Sequence, residues 1–153
     1  MGARSEPMSS PRGRWTGIAS KVLAMKSDVF RKAAESKDFS AIDDLFAEDV
    51  TFRSPVVYKP YEGREQVATL LGAVSQVFED FRYTDHTETG DTATLAFSAR
   101  VGEKEVDGID LLRFDADGRI REMQVYVRPM SGVTALAEAM GRMLEQMGAT
   151  ASP

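Results

Sequence analysis

From Ile18 to Lys37 the apolar residues return every three or four positions, at Val22, Met25, Val29, Phe30 and Ala33. That spacing predicts a helix with one buried stripe. A short second helix follows, with Asp38 or Ser40 as its expected N-cap and Ile42, Leu45 and Phe46 as its apolar face. Val50, Phe52 and Ser54 then alternate as a strand does, until Pro55 breaks it. The stretch Tyr58-Lys59-Pro60-Tyr61-Glu62-Gly63 reads as a loop. From Arg64 to Phe78 the helical pattern is clearest, with Val67, Leu70, Leu71, Val74 and Phe78 on one side.

Beyond this helix the period changes to two. Strands are predicted near Phe81–Thr87, Ala93–Val101, Glu105–Phe114 and Ile120–Arg128. Gly102-Glu103-Lys104 and Asp115-Ala116-Asp117-Gly118 supply turns between them. Pro129 and Gly132 close the sheet, and a last helix covers about Val133–Met147. Helices, a strand, a helix and then a meander of strands describe an α+β domain with a curved, mostly antiparallel sheet. Such a sheet can wrap around the long helix and leave one end open. Residues 17–147 form one domain on this reading, with 1–16 a disordered leader and 148–153 a disordered tail. Met8 and Met25 are both candidate starts.

Composition narrows the function classes. The 153 residues are 42% hydrophobic and 28% charged, which suits a globular core. A formal net charge of -5 leaves no basic face for nucleic acid. There is no cysteine, so disulfides, thiol catalysis and cysteine-held zinc are excluded, and a cytoplasmic location is expected. His86 is the sole histidine, which leaves little material for a metal site or a serine–histidine triad. No apolar run approaches the ~20 residues of a membrane span, and no membrane partner is expected. The leader lacks the apolar segment of a signal peptide.

Three stretches carry a resemblance: Phe46-Ala47-Glu48-Asp49-Val50; Ser54-Pro55-Val56; and Ile109-Asp110-Leu111-Leu112-Arg113-Phe114 with Gly118-Arg119-Ile120. Over roughly Val22 to Val127 the chain resembles ketosteroid isomerase and the wider SnoaL-like group of the nuclear transport factor 2 superfamily. The resemblance implies a cone-shaped fold around an apolar pocket. It also implies where the isomerase's groups would fall. The first-helix tyrosine that donates to the oxyanion corresponds to Phe30. The aspartate base before a proline corresponds to Ser54. The aspartic acid kept protonated by an apolar site corresponds to Asp110. One of the three survives, so efficient isomerisation by that mechanism is not expected: Ser54 is no base, and Phe30 has no donor. The Asp-Arg-Asp set of the related limonene-epoxide hydrolases falls near Thr92, Thr94 and Val125, and the polyketide-cyclase aspartate at or near Val125.

What remains is a pocket. Alternation puts Asp110, Leu112 and Phe114 on one face of their strand. The resemblance implies that Met123, Val125 and Val127 look into the cone, joined by Phe30, Ser54, Val56, Leu70 and Leu112. A carboxyl in such a cavity has a raised pKa and, when neutral, donates to a ligand oxygen. The simpler alternative is a structural aspartate bonded to backbone, an arginine or a tyrosine. Ser54 is expected to make a local turn bond before Pro55. Arg53 and Arg128 are expected to pair with carboxylates such as Glu122 or Asp107. His86, in Asp85-His86-Thr87-Glu88, is expected to be solvated or at a sheet edge. Asp107 points away from Asp110, which argues against a shared-proton pair. Asp115 and Asp117 read as a hairpin turn rather than a calcium loop. Leu136, Met140, Met143, Leu144 and Met147 form a stripe that packs on the sheet or a partner subunit, or acts as a lid.

The leading functional expectation is binding of a small apolar molecule with a carbonyl or phenol-like oxygen, with weak isomerase- or cyclase-type turnover as an extension. The alternative is a non-catalytic dimerisation or interaction module whose cone is filled by its own side chains. An open cavity beside Asp110 favours the first. A homodimer suits both, and the sequence names no cofactor.

Overall fold

The computed structural model describes residues 25–148. The expected leader, Ile18, Val22 and residues 149–153 lie outside the described residues. Helix α1 (Asp28–Ser36) and the short α2 (Ile42–Leu45) precede strand β1 (Phe46–Arg53). Strand β2 (Tyr61–Glu62) and helix α3 (Arg64–Val77) follow. Then come β3 (Glu79–Thr89), β4 (Thr92–Val101), β5 (Lys104–Phe114), β6 (Ile120–Arg128) and helix α4 (Met130–Gln146).

Six strands form one sheet in the order β2-β1-β6-β5-β4-β3. All neighbours are antiparallel except β1 and β6, which run parallel. Period-two alternation produces the sheet's two faces. Ala93, Leu95, Phe97, Ala99 and Val101 of β4 are buried, as are Val106, Asp110, Leu112 and Phe114 of β5. On that concave side lies α3, whose Val67, Leu70, Leu71, Ala73 and Val77 are buried. Helix α4 adds Leu136 and Leu144.

Gly108 lets the sheet curve tightly around an aromatic ring. A Cβ there would sit 2.2 Å from Cζ of Phe97 and 2.7 Å from the carbonyl oxygen of Tyr126. Gly132 does the same for α4, since a Cβ would come within 2.4 Å of Cγ1 of Val106. Both close approaches require glycine.

Several boundaries differ from the sequence expectation. β1 begins at Phe46, because α2 ends at Leu45 and Phe46 already takes an extended conformation, pairing with Ile120. Neither Asp38 nor Ser40 caps α2: the N-cap is Ala41, and Asp38 instead accepts from the Ser40 amide at 3.0 Å. The loop before α3 contains β2, pairing Tyr61 with Phe52 and Glu62 with Thr51. Helix α4 starts at Met130 rather than Val133, since the Pro129 carbonyl accepts the Val133 amide at 3.0 Å. No helix of the described residues is long and apolar enough to cross a membrane.

Candidate functional site

The concave face, α1, α3, α4 and the loop after β1 enclose a cavity of about 510 Å³. Its walls are largely aromatic and aliphatic. Phe52, Phe81 and Phe97 come from the sheet, Leu70 and Val74 from α3 with Phe78 at its C-terminal end, and Leu136 and Met140 from α4. The phenylalanines pack on one another: Phe81 and Phe97 have centroids 5.0 Å apart, and Phe78 and Phe97 5.6 Å.

Of the residues singled out from the sequence, Phe30, Ser54, Val56, Leu70, Met123, Val125 and Asp110 line this cavity. Leu112 and Val127 do not. Leu112 is fully buried in the solid core between Ala93 and Met123. Val127 lies opposite Gly108, further along β6, and packs against the core from the side. Alternation assigns a residue to a face, but not the depth to which packing fills that face.

Asp110 is one of two buried polar residues, with Ser27, among the described residues, at 5% exposure. β5 aims it inward, between Leu95 on β4 and Val125 on β6. The hydroxyl of Tyr83, on edge strand β3, donates to its Oδ2 at 2.7 Å. No buried side-chain oxygen or nitrogen of the described residues lacks a partner. The second carboxyl oxygen has no bond to another described residue and lies on the cavity wall. Burial pushes the Asp110 carboxyl up to about 7, against the opposing pull of the Tyr83 hydrogen bond. Tyr83 is held well above its ordinary value by burial, and then by the charge of Asp110. It therefore acts as a donor. Sequence reasoning allowed a tyrosine partner for Asp110 but did not name Tyr83, although Phe81 and Tyr83 alternate onto one face of β3.

The other polar groups in the wall are occupied. Ser54 Oγ accepts from the amides of Val56 at 2.9 Å and Val57 at 3.4 Å, the expected turn bond. Ser75 Oγ donates to the Gly72 carbonyl at 2.8 Å. Lys37 Nζ donates to the Phe78 carbonyl at 3.2 Å. Burial pushes the Tyr61 hydroxyl up. Arg53 pairs with Glu122 at 2.8 Å and Arg128 with Asp107 at 2.9 Å, as expected of surface arginines. Asp115 Oδ1 accepts from the amides of Asp117 and Arg119, both at 2.9 Å, closing the hairpin.

His86 sits at the expected sheet edge but is not solvated. β3 is the edge strand, yet the imidazole is 4% exposed. The start of α1 covers it, and Ser27 Oγ lies 2.6 Å from Nε2. Arg31 Nη1, which can only donate, is 3.4 Å from Nδ1. With Arg31 donating to Nδ1, the neutral ring carries its proton on Nε2 and donates to Ser27, whose hydroxyl donates to Glu88 at 2.7 Å. This cluster lies outside the cavity wall.

A neutral Asp110 can donate to a carbonyl oxygen, and an ionised one can accept from a phenol or alcohol. No group of three or more histidine, cysteine or carboxylate side chains that could hold a metal is present among the described residues.

Comparison with known proteins agrees with this architecture. The SnoaL-like domain family matches residues 28–123. A crystal structure of a steroid delta-isomerase from Pseudomonas aeruginosa is 44% identical, with a TM-score of 0.77 over 80% of this chain and 90% of that one. An uncharacterised protein with a cystatin-like fold from Silicibacter pomeroyi DSS-3 is 37% identical, with a TM-score of 0.74 over 77% and 84% of the two chains. An NTF2-like protein of unknown function from Mesorhizobium loti shares the fold at 24% identity, with a TM-score of 0.63 over 72% and 94%. The chain belongs to the SnoaL-like family, within the NTF2-like group that includes ketosteroid-isomerase-like proteins.

Proposed function

We propose that this protein binds a small, largely apolar molecule and holds its carbonyl or phenol-like oxygen against Asp110. The observation that carries the reading is a single buried carboxyl in the wall of a largely apolar cavity of about 510 Å³. That volume falls within the roughly 300–1,000 Å³ range of small-molecule sites. It also opposes the alternative of a solid interaction module, where a half-bonded carboxyl would be costly. Steroid enones are the first compounds to try, because the 44% identical structure is that of a steroid delta-isomerase. Slow turnover is the extension of this reading. Phe30 and Ser54 stand where the resemblance places the isomerase's tyrosine and base, so Asp110 would act with neither helper.

The test is thermal unfolding of the wild type and Asp110→Ala with matched ketones and phenols. Bound ligand raises the melting temperature by mass action. A ketone accepts only, so its affinity should fall about tenfold per pH unit above the Asp110 midpoint. A phenol of the same frame both donates and accepts, so its affinity should hold across that range. Wild type that responds to no compound would sink the binding reading. A response equal in Asp110→Ala would remove Asp110 as anchor.

A further inference from the structure

Tyr83 is the one side chain of the described residues that hydrogen-bonds Asp110. Its ring is fenced on several sides. Phe81 meets it edge-on at 4.9 Å between centroids and 86°, and Phe97 at 6.3 Å and 86°. The Arg31 guanidinium lies 5.8 Å from the ring centroid. Arg31 is itself held by Glu35 at 3.4 Å and by Nδ1 of His86 at 3.4 Å. A ring held this way keeps its hydroxyl oxygen within reach of Asp110.

We infer that Tyr83 is the positioning residue of the site: by holding Oδ2 of Asp110 it turns Oδ1, and the acid's proton, toward the ligand. The inference rests on the binding reading for its ligand, but the state of Asp110 is measurable without one. In the neutral acid two hydrogen bonds run in series, Tyr83 to Oδ2 and Oδ1 to the ligand oxygen, and each polarises the next. Without the tyrosine, either oxygen can carry the proton and the carboxyl can turn. The tyrosine also donates to the charged form, so it offsets part of the effect of burial. The ionisable groups around the pair are few. Arg31 and Glu35 of α1 act on Tyr83, and Lys37 and Tyr61 are the other ionisable side chains in the cavity wall.

The experiment is carbon-13 NMR titration of the Asp110 carboxyl in wild type and Tyr83→Phe, with no ligand added. The midpoint should rise by roughly one pH unit in the variant, the size of one lost hydrogen bond to a charged acceptor. The pH above which a ketone loses affinity should rise by the same interval. A tyrosine that merely fills space would lower the melting temperature and leave both midpoints unchanged, which would overturn the inference. If Tyr83→Phe does not fold, the wild type suffices: the Tyr83 Cζ signal must titrate with the Asp110 midpoint, and a signal that ignores it overturns the inference equally. Should the midpoint move while no ketone binds, the binding reading fails and the hold of Tyr83 on Asp110 stands.

Discussion

Strand β3 contributes to two polar clusters, one part-buried and one buried, that are satisfied to different degrees. Around His86, nearly every group is bonded. Glu88 accepts from the amides of Lys26 and Ser27 and from the Ser27 hydroxyl, at 3.1, 2.9 and 2.7 Å. Burial pushes the Glu88 carboxyl up, but these bonds outweigh it and hold it below its usual value. Burial lowers the His86 pKa, with Arg31 adding to the effect and Asp28 and Glu88 opposing it. Around Tyr83, one hydrogen bond serves a whole carboxyl, and burial wins. The first cluster ties the start of α1 to the sheet. The second keeps unspent bonding capacity beside a cavity. Buried polarity thus has two uses here, and the count of partners separates them.

The two clusters should also respond to pH with opposite sign. A carboxyl raised in the folded state is protonated there while the unfolded chain has already lost its proton. Its stability contribution is therefore full below the unfolded value near 3.8, and declines as pH rises to and beyond about 7. A histidine lowered in the folded state behaves oppositely: stability is full above 6.5 and falls as pH drops toward the folded value. The largest expected effect follows. Asp110→Asn should abolish a stability loss of about 4 kcal/mol between pH 4 and pH 8, read by urea unfolding across that range. A wild type with no such decline would erase the contrast.

Ser27→Ala should come next. It leaves His86 Nε2 short of a partner, while Glu88 Oε1 keeps the backbone amide of residue 27, at a cost of about 2 kcal/mol. Ketone binding at the cavity should be unchanged, measured by calorimetry beside the unfolding curves. Weaker binding would mean that the two clusters are one unit. Ser54→Ala should be smallest, costing about 1 kcal/mol through its lost bonds to the Val56 and Val57 amides. A larger loss in ligand affinity than in stability would move Ser54 from the turn into the site.

Legibility in the sequence followed the range of the interaction. Strands β4, β5 and β6 and helix α3 lie where period and turn residues place them, because strand alternation, helical period and turn chemistry are local. The inward turn of Asp110 was legible for the same reason. β2 was not, since two residues carry no period and pair only because Phe52 lies opposite. The burial of His86 was hidden because its cover, Ser27, lies 59 positions away in the chain. Tyr83 was overlooked because the resemblance points at Phe30 for a hydroxyl, whereas here the hydroxyl that meets Asp110 comes from β3.

The parallel pairing of β1 with β6 sets an order of events during synthesis. β1 leaves the ribosome with one edge able to take only the two residues of β2, while its other edge waits for Ile120–Arg128. Until then the nascent chain carries an open strand edge and Phe52 without its β6 neighbour Met123. Such edges invite pairing with other chains. The cavity wall that includes Met123 and Val125 is therefore a late product of translation, and a stall before β6 leaves an aggregation-prone fragment rather than a weak binder.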